Sequence, residues 1–174
     1  IEDGISVLAI LEPESGRLTQ LDTPYSHFSS IRAVGNDMVF LGASATKQAA
    51  VVRLNPQKGW SQELHQSNES ILDKNIIPVA APITFPTEGN RDAHAFYYPP
   101  VNPLYEALEG ELPPLIVHSH GGPTGSTGNS LSLSIQFWTS RGFAVVDVNY
   151  GGSTGYGRSY RERLNGMWGI VDVA

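Results

Sequence analysis

Two adjacent glycines lie just after a short apolar run, in a segment that could stabilise a developing negative charge. Leu115 to Val117 is bounded by two prolines and two glycines, which is typical of a strand buried on both faces. The residues from His120 to Asn129 then form a loop of glycine, serine and threonine. Because Gly121 and Gly122 carry no Cβ, their backbone N–H groups can point into a pocket and form half of an oxyanion hole. An ordinary turn is the alternative interpretation.

The same segment offers two imidazoles. His118 and His120 are two residues apart, so on a strand both would project to one side and could ligate a metal ion. No third ligand follows at a suitable spacing, and the chain has no cysteine. We therefore expect neither a metal nor another cofactor.

A second glycine-rich loop runs from Asn149 to Gly157 and is preceded by another apolar run. From Gly152 it reads G-x-x-x-x-G-R-S, one residue away from the phosphate-binding pattern G-x-x-x-x-G-K-[ST]. Arg158 stands where that pattern needs a compact lysine ammonium, which weakens the match. Nucleotide binding at Gly152–Ser159 stays an alternative. Tyr150 and Tyr156 lie in this loop as candidate substrate-pocket residues, although tyrosines also pack over glycines.

The elements around these loops alternate between strands and helices. We predict a helix in which Leu131, Ile135 and Trp138 recur at helical spacing, with Ser130 as N-cap and Gly142 as C′ residue. The other predicted elements are a strand at Phe143–Val148, a helix at Ser159–Asn165 and a further helix start near Ile170. This order predicts a parallel α/β sheet, in which the loops after the strands form the active site.

The first part of the chain reads as strands. We predict strands at Ser6–Leu11, Arg17–Leu21, Phe28–Val34, Met38–Gly42 and Ala49–Asn55. The spacing of Leu11, Pro13, Gly16 and Leu21 recurs 43 residues later at Leu54, Pro56, Gly59 and Leu64. Both copies indicate a hairpin turn between two strands, and the period is typical of a four-stranded propeller blade. Two unrelated hairpins that share common turn residues remain an alternative.

Polar residues from Ser67 to Lys74 mark the predicted domain boundary, which divides the chain into 1–74 and 75–174. Beyond it, Pro78, Pro82 and Pro86 favour an extended backbone. We predict strands there at Pro82–Phe85 and Ala93–Tyr98.

Composition excludes several classes of function. The chain of 174 residues has 11 Lys and Arg against 17 Asp and Glu, a net charge of −6, so a nucleic-acid partner is not expected. The longest apolar stretches, Val7–Leu11 and Phe143–Val148, are far too short to cross a bilayer, so no membrane partner is expected. The lack of cysteine fits a reducing compartment, and we expect a cytoplasmic protein. Because it begins at Ile1 and no stop signal is visible at Ala174, we expect a piece of a longer polypeptide.

Several motifs together resemble the prolyl oligopeptidase family of serine peptidases. They are PITFPT at 82–87, AHAFYYPP at 93–100, HGGPTG at 120–125, QFWTSRGFAVVDVNY at 136–150, GGSTGYGRSYRERL at 151–164, and Trp168, Gly169 and Asp172. The acylaminoacyl-peptidase and dipeptidyl-aminopeptidase branch is the most similar. The resemblance implies all-β propeller blades in 1–74 and, in 75–174, the N-terminal half of an α/β-hydrolase domain.

The resemblance also implies a serine, histidine and aspartate triad that hydrolyses short peptides, with the propeller restricting access. Gly122 is then expected to donate its backbone N–H to the oxyanion, and His120 and Gly121 to line the substrate pocket. His120 stands where other branches carry a tyrosine whose hydroxyl donates to the oxyanion. Gly151 stands where many relatives carry an arginine, so any carboxylate contact of that arginine is absent.

No serine of this chain occupies a G-x-S-x-G nucleophile elbow, since Ser126 and Ser153 both have the wrong spacing. The resemblance places the elbow and the triad beyond Ala174, so we expect this chain alone to be inactive. Asp147 and Asp172 are predicted to be structural, and Trp138, Trp168, Phe137 and Tyr160 to be packing residues, since they flank helical or strand segments. The remainder of the same polypeptide is an expected partner, and a homo-oligomer is possible. A non-catalytic interaction module of the same fold is the other alternative.

Overall fold

The computed structural model describes residues 1–67, 73–122 and 124–173. Its elements are ten strands and two α-helices, with a short 3-10 helix at Lys74–Ile76. The strands form a hairpin and two four-stranded sheets, so the structure is mostly β. The predicted domain boundary at Ser67–Lys74 falls largely on residues 68–72, which lie outside the described residues.

Both copies of the 43-residue repeat form the predicted hairpins. Strands β1 (Ala9–Leu11) and β2 (Leu18–Gln20) pair antiparallel, as do β5 (Ala50–Asn55) and β6 (Trp60–Gln66). In the first turn the Gly16 N–H donates to the Glu12 carbonyl at 2.8 Å, and in the second the Gly59 N–H donates to the Asn55 carbonyl at 2.9 Å. Both glycines have φ near +68°, a left-handed backbone that favours glycine. The two hairpins therefore share one turn geometry.

The first four-stranded sheet is an antiparallel meander. Strands β3 (His27–Val34) and β4 (Asp37–Ala43) precede β5 and β6, and each strand pairs with the next in the chain. One face of this sheet packs around Phe40 and Val52, which are almost fully buried. Tyr25 stands edge-on to Phe40, with ring centroids 5.9 Å apart. This aromatic and aliphatic cluster is the core of the N-terminal part.

The second sheet has the strand order β7, β8, β10, β9. Strands β7 (Ala81–Thr87) and β8 (Arg91–Tyr98) form an antiparallel pair, and β8 also pairs antiparallel with β10 (Ala144–Asn149). Strand β9 (Leu115–Ser119) runs parallel to β10, and helix α1 (Leu133–Thr139) connects them. The predicted parallel pair is confirmed, but β7 and β8 make the sheet mixed.

Strand β9 differs from its prediction because it lies at the edge of the sheet. Leu115 is 53% exposed and Val117 63% exposed, so this strand is not buried on both faces in the described structure. The central strand β10 holds Val145 with no exposed surface, packed with Phe96 and with Ile135 of α1. Helix α1 therefore covers one face, while Val117, Val146 and Val148 line a cavity of about 340 Å³ on the other.

The helix ends also differ from the predictions. Ser132, not Ser130, is the N-cap of α1, because its hydroxyl accepts the N–H of Ile135. The C-cap is Ser140, and Gly142 follows two residues later with a left-handed φ of +89°. Helix α2 (Arg158–Glu162) ends before the expected Asn165, and residues 168–173 form turns instead of a further helix.

Two contacts join the N-terminal part to the second sheet. The hydroxyl of Ser26 donates to the side chain of Asn129 at 2.7 Å, and the Leu131 N–H donates to the Ser44 carbonyl at 2.8 Å. Both contacts involve the loop between β9 and α1. This loop is therefore held from the side of the first sheet as well.

Candidate active site

Gly122 lies in the loop after β9, at the carboxyl end of the parallel strand pair. Its φ is +75°, a conformation that favours glycine, and a Cβ placed on Gly121 or Gly122 would meet no atom within 4 Å. Both glycines are exposed. Among the described residues no acceptor engages the Gly122 N–H. The loop is therefore exposed at both glycines, and the Gly122 N–H has no acceptor within the described residues.

The imidazole of His120 is held by a stacking contact and by polar contacts. Its ring stacks on Tyr150 with centroids 4.4 Å apart, and Nε2 lies 2.7 Å from the hydroxyl of Ser153. Nδ1 lies 3.3 Å from the carbonyl oxygen of Gly121. A carbonyl only accepts, so we assign the proton to Nδ1 and let Nε2 accept from the Ser153 hydroxyl. Both ring nitrogens are then occupied, which argues against His120 as a side-chain donor to an oxyanion.

This contact orients the peptide group that carries the Gly122 N–H. In a trans peptide the carbonyl oxygen and the N–H point in opposite directions. Because Nδ1 of His120 holds the Gly121 oxygen, the N–H of Gly122 points away from the His120 ring.

Tyr150 holds the loop from its other side. Its hydroxyl donates to the Gly122 carbonyl at 2.7 Å and lies 3.3 Å from the His120 carbonyl. Burial raises the pKa of Tyr150, and the negative charge of Asp172 raises it further. The phenol therefore stays protonated and remains a hydrogen-bond donor. Four of the predicted site residues, His120, Gly121, Gly122 and Tyr150, are thus brought together.

Tyr156, the fifth predicted site residue, lies in a separate aromatic cluster. Its ring is parallel to that of His94, with centroids 4.1 Å apart, and it is tilted against Tyr160 at 5.4 Å. A Cβ on Gly4 would meet the Tyr156 hydroxyl at 2.5 Å, so the N-terminal segment packs directly over it. The structure gives Tyr156 a packing role here, and its part in a substrate pocket stays a prediction.

The second glycine-rich loop is closed rather than open to a phosphate. The Ser153 N–H donates to the Tyr150 carbonyl and the Thr154 N–H to the Gly125 carbonyl, both at 3.0 Å. A Cβ on Gly152 would meet Cβ of Leu164 at 2.7 Å, so this loop packs tightly on the chain after α2. Since the N–H groups of Ser153 and Thr154 are occupied, these two are not available to bind a phosphate.

Gly151 is packed in the same way. A Cβ at this position would lie 2.6 Å from a methyl carbon of Val171, so the backbone has no room for an arginine side chain there.

The two aspartates have structural contacts. Asp147 accepts the hydroxyl of Thr127, and Asp172 accepts the Gly169 N–H at 2.7 Å. His118 is paired across the strands with Asp147 and lines a polar cavity between the two sheets. In residues 1–67, 73–122 and 124–173 no group of three or more metal-ligating side chains comes together. In the same ranges, no helix has the length and apolar character to span a membrane.

Three of the four predicted aromatic packing residues make packing contacts. Tyr160 is 3% exposed and Trp138 packs against the core of the second sheet. Phe137 is 46% exposed, but its ring is edge-on to that of Trp138 and lies 3.7 Å from the guanidinium of Arg141. Trp168 is 57% exposed in the described structure.

The sequence and the fold of this chain are similar to those of known peptidases. Residues 129–174 match the sequence profile of the prolyl oligopeptidase family. The chain is 40% identical to a solved puromycin-hydrolyzing peptidase of Mycobacterium tuberculosis, with a TM-score of 0.91 over 98% of this chain. A mutant puromycin hydrolase complexed with PGG is 41% identical over 98% of this chain, with a TM-score of 0.90. The chain is therefore similar to the prolyl oligopeptidase family over residues 129–174.

The proteins that this chain matches are much longer. Dipeptidyl-peptidase 5 of Aspergillus fumigatus is 27% identical over 137 residues, which are 77% of this chain and 18% of that protein. The chain spans 27% of the Mycobacterium peptidase and 26% of the puromycin hydrolase mutant. It therefore corresponds to about a quarter or less of these proteins.

Two residues of the site were not singled out from the sequence. Ser153 and Asn149 have fully buried side chains, and each contacts the loop that carries Gly122. The sequence pattern that could have pointed to them is a polar residue at the end of a buried strand, followed by several glycines. This pattern identifies candidate residues, but it does not predict which residues they contact.

Proposed function

We propose that the full-length protein is a serine peptidase that hydrolyses short peptides and that Gly122 donates its backbone N–H to the oxyanion. The observation that carries this proposal is the left-handed Gly122, whose carbonyl is held by Tyr150 while His120 holds the carbonyl of Gly121, so that the Gly122 N–H points away from the His120 ring. Its place after β9 supports the assignment, because loops at the carboxyl ends of parallel strands build the sites of such sheets.

In the proposed reaction a serine outside this chain attacks the peptide carbonyl while a histidine accepts its proton. The carbonyl oxygen becomes an oxyanion, which the Gly122 N–H stabilises. The same histidine then protonates the leaving amine, and water releases the acyl group by the reverse route.

The proposed architecture follows the same division of the chain. Residues 1–74 would contribute blades of a β-propeller, since β3 to β6 form a four-stranded antiparallel meander and β1 and β2 repeat the geometry of β5 and β6. Residues 75–174 would begin an α/β-hydrolase domain with the parallel pair β9 and β10. The exposed faces of both parts would be covered by the remainder of the polypeptide.

We propose amides of an amino acid or a short peptide as the substrate class. This is supported by the two similar solved structures, one a puromycin-hydrolyzing peptidase and the other complexed with the peptide PGG. Acylaminoacyl and dipeptidyl substrates belong to the same class. Folded proteins are not expected to be cut, since a propeller would restrict access.

A fluorophosphonate experiment tests the nucleophile. The full-length protein is expected to gain the mass of one adduct and to hydrolyse puromycin or short peptide amides. The 174-residue chain alone is expected to keep its mass. An adduct on the short chain would contradict the location of the serine, and an unlabelled, inactive full-length protein would favour a non-catalytic module.

A pair of glycine substitutions tests the oxyanion donor in the full-length protein. Gly122→Ala strains a left-handed position and is expected to lower kcat about 100-fold by displacing the N–H. Gly110→Ala is the matched control, because Gly110 also has a positive φ and open space around its Cβ but lies outside the site. Equal activity in the two variants would contradict the role of Gly122.

A further inference from the structure

One buried side chain joins the two glycine-rich loops. Asn149 ends strand β10 and has no exposed surface. Its Oδ1 accepts the N–H of Thr127 at 2.8 Å, and its Nδ2 donates to the carbonyl of the same Thr127 at 3.0 Å. The side-chain amide of Asn149 is therefore hydrogen-bonded to both the N–H and the carbonyl of Thr127, a residue of the loop that carries Gly122. Nδ2 also lies 3.2 Å from the hydroxyl of Tyr156.

Two further bonds fasten the loop to the same support. The hydroxyl of Thr127 donates to Asp147, which lies two residues before Asn149 and so on the same face of β10. The carbonyl of Gly125 accepts the N–H of Thr154 at 3.0 Å. The stretch from Gly125 to Thr127 is thus bonded to β10 and to the loop that follows it.

The support itself is rigid. Strand β10 lies between β8 and β9, and its Asn149 is paired with His94 in the register of β8. The buried hydroxyl of Tyr160 donates to the Asn149 carbonyl at 2.6 Å. Hydrogen bonds in such a buried setting are strong, because water cannot replace either partner.

We propose that Asn149 is a positioning residue that determines where the loop places the Gly122 N–H, an inference that rests on the proposed function. The loop leaves strand β9 at Ser119 and is fastened again between Gly125 and Thr127, so few residues lie between these anchors. Without the Asn149 amide the second anchor loses both bonds to the Thr127 backbone, and Gly122 can shift. A displacement of about 1 Å in a catalytic group costs about 100-fold in rate.

The test uses Asn149→Ala in the full-length protein, with Asn102→Ala as a matched control. The Asn102 side chain likewise accepts a backbone N–H, from Leu104 at 2.9 Å, and donates to a backbone carbonyl, of Ser140 at 2.8 Å. It does so next to the connection from Pro99 to Pro114, away from Gly122. The two variants therefore lose the same kind of contact at different places.

We expect Asn149→Ala to lower kcat about 10- to 100-fold while KM changes less than about twofold. Affinity for a peptide boronic acid, which forms a tetrahedral adduct with the serine, should fall by a similar factor. Affinity for the product that carries the leaving amine should not change, since it has no oxygen at the position of the oxyanion. Asn102→Ala should lower the melting temperature without changing kcat.

A lower melting temperature of Asn149→Ala, with kcat and boronic acid affinity within twofold of wild type, would show a structural role only and overturn the inference. If Asn149→Ala fails to fold, Asn149→Leu decides, because it keeps the approximate shape of the side chain and removes both of its bonds to the Thr127 backbone. Unchanged kcat and boronic acid affinity in Asn149→Leu would then overturn the inference. A wild-type protein that neither hydrolyses peptides nor takes a fluorophosphonate overturns the proposed function and this inference with it.

Discussion

The two ends of the second sheet are built differently. At the carboxyl ends of β9 and β10 the loops hold two fully buried polar side chains, Asn149 and Ser153, and bond to each other at several points. At the opposite end, the connection from Pro99 to Pro114 leaves Leu104 80% exposed and Leu112 92% exposed. This connection lines a cavity of about 850 Å³.

The difference shows that the buried side-chain hydrogen bonds of this sheet are concentrated at the carboxyl ends of β9 and β10. A buried polar group must find a partner, so each buried amide or hydroxyl at the carboxyl end fixes a piece of backbone. The exposed connection has no such requirement, because water satisfies its polar groups. The loop that presents Gly122 is consequently the more constrained of the two, although both contain glycine.

Proteolysis should give the largest contrast between the two ends. Chymotrypsin is expected to cut the full-length protein after Tyr105 at least about 100 times faster than after Tyr150 or Tyr156, because opening the bonded loops costs free energy. Tyr105 is 77% exposed. Mass spectrometry of early fragments measures the order of cleavage. First cuts at Tyr150 or Tyr156 would contradict the comparison.

Alanine at two left-handed glycines gives the next largest effect. Gly152→Ala should destabilise the protein by about 3 kcal/mol, since the new Cβ would be strained and would also meet Cβ of Leu164. Gly110→Ala carries the same kind of strain in open space and should cost about 1 kcal/mol. Thermal unfolding of the full-length variants checks the difference. Equal melting temperatures would mean that the close packing of Gly152 has no energetic consequence.

Removing one hydroxyl group at the carboxyl end of β10 should have a smaller effect on stability. Tyr160→Phe loses the buried bond to the Asn149 carbonyl and should destabilise the protein by about 1 to 2 kcal/mol. Burial raises the pKa of Tyr160 to about 12, so the wild-type hydroxyl is a donor over the whole neutral range. Tyr105→Phe at the exposed end is the control and should change stability by less than about 0.5 kcal/mol. Similar losses of stability in Tyr160→Phe and Tyr105→Phe would contradict the difference between the two ends of the sheet.

The smallest expected effect is a pH dependence of the stability of the protein that arises from His94. Burial lowers its pKa, the Arg163 charge adds to this, and Asp92 and Asp3 oppose it. The folded state therefore favours the neutral ring. The stabilisation it brings is complete above the ordinary histidine pKa of about 6.5 and is lost as the pH falls through the lowered folded value.

The measurement for His94 is the melting temperature between pH 7.5 and pH 5. His94→Phe keeps an aromatic ring against Tyr156, and its melting temperature should fall less on acidification than that of the wild type. Parallel pH profiles of the two proteins would show that His94 does not contribute. This variant tests the packing beside Asn149 without touching the amide itself.

Local patterns predicted much of the fold. The proline and glycine spacing around Gly16 and Gly59 predicted two hairpins, and both form with the same turn bond. The parallel pair β9 and β10 followed from the alternation of strand and helix. These features depend on short stretches of chain, where the conformational preferences of a few residues decide.

Other predictions were wrong because the competing residues are chemically alike or the partners are distant. Ser130 and Ser132 are both good N-caps, and the start of α1 selected Ser132. Trp168 was predicted to be a packing residue, but its side chain is 57% exposed in the described structure. Burial is a property of the whole arrangement, so an apolar residue type alone does not determine it.

The sequence by itself determined the resemblance to the prolyl oligopeptidase family, the two glycine-rich loops and their places after strands. Only the tertiary structure decided which side chains hold those loops. Asn149 bonds Thr127 across 22 residues, and His120 meets Ser153 across 33. Those pairs arise from the register of β9 against β10 and from the crossover through α1. Contacts between residues so far apart leave no local pattern, because each partner is chosen by the fold that brings it near.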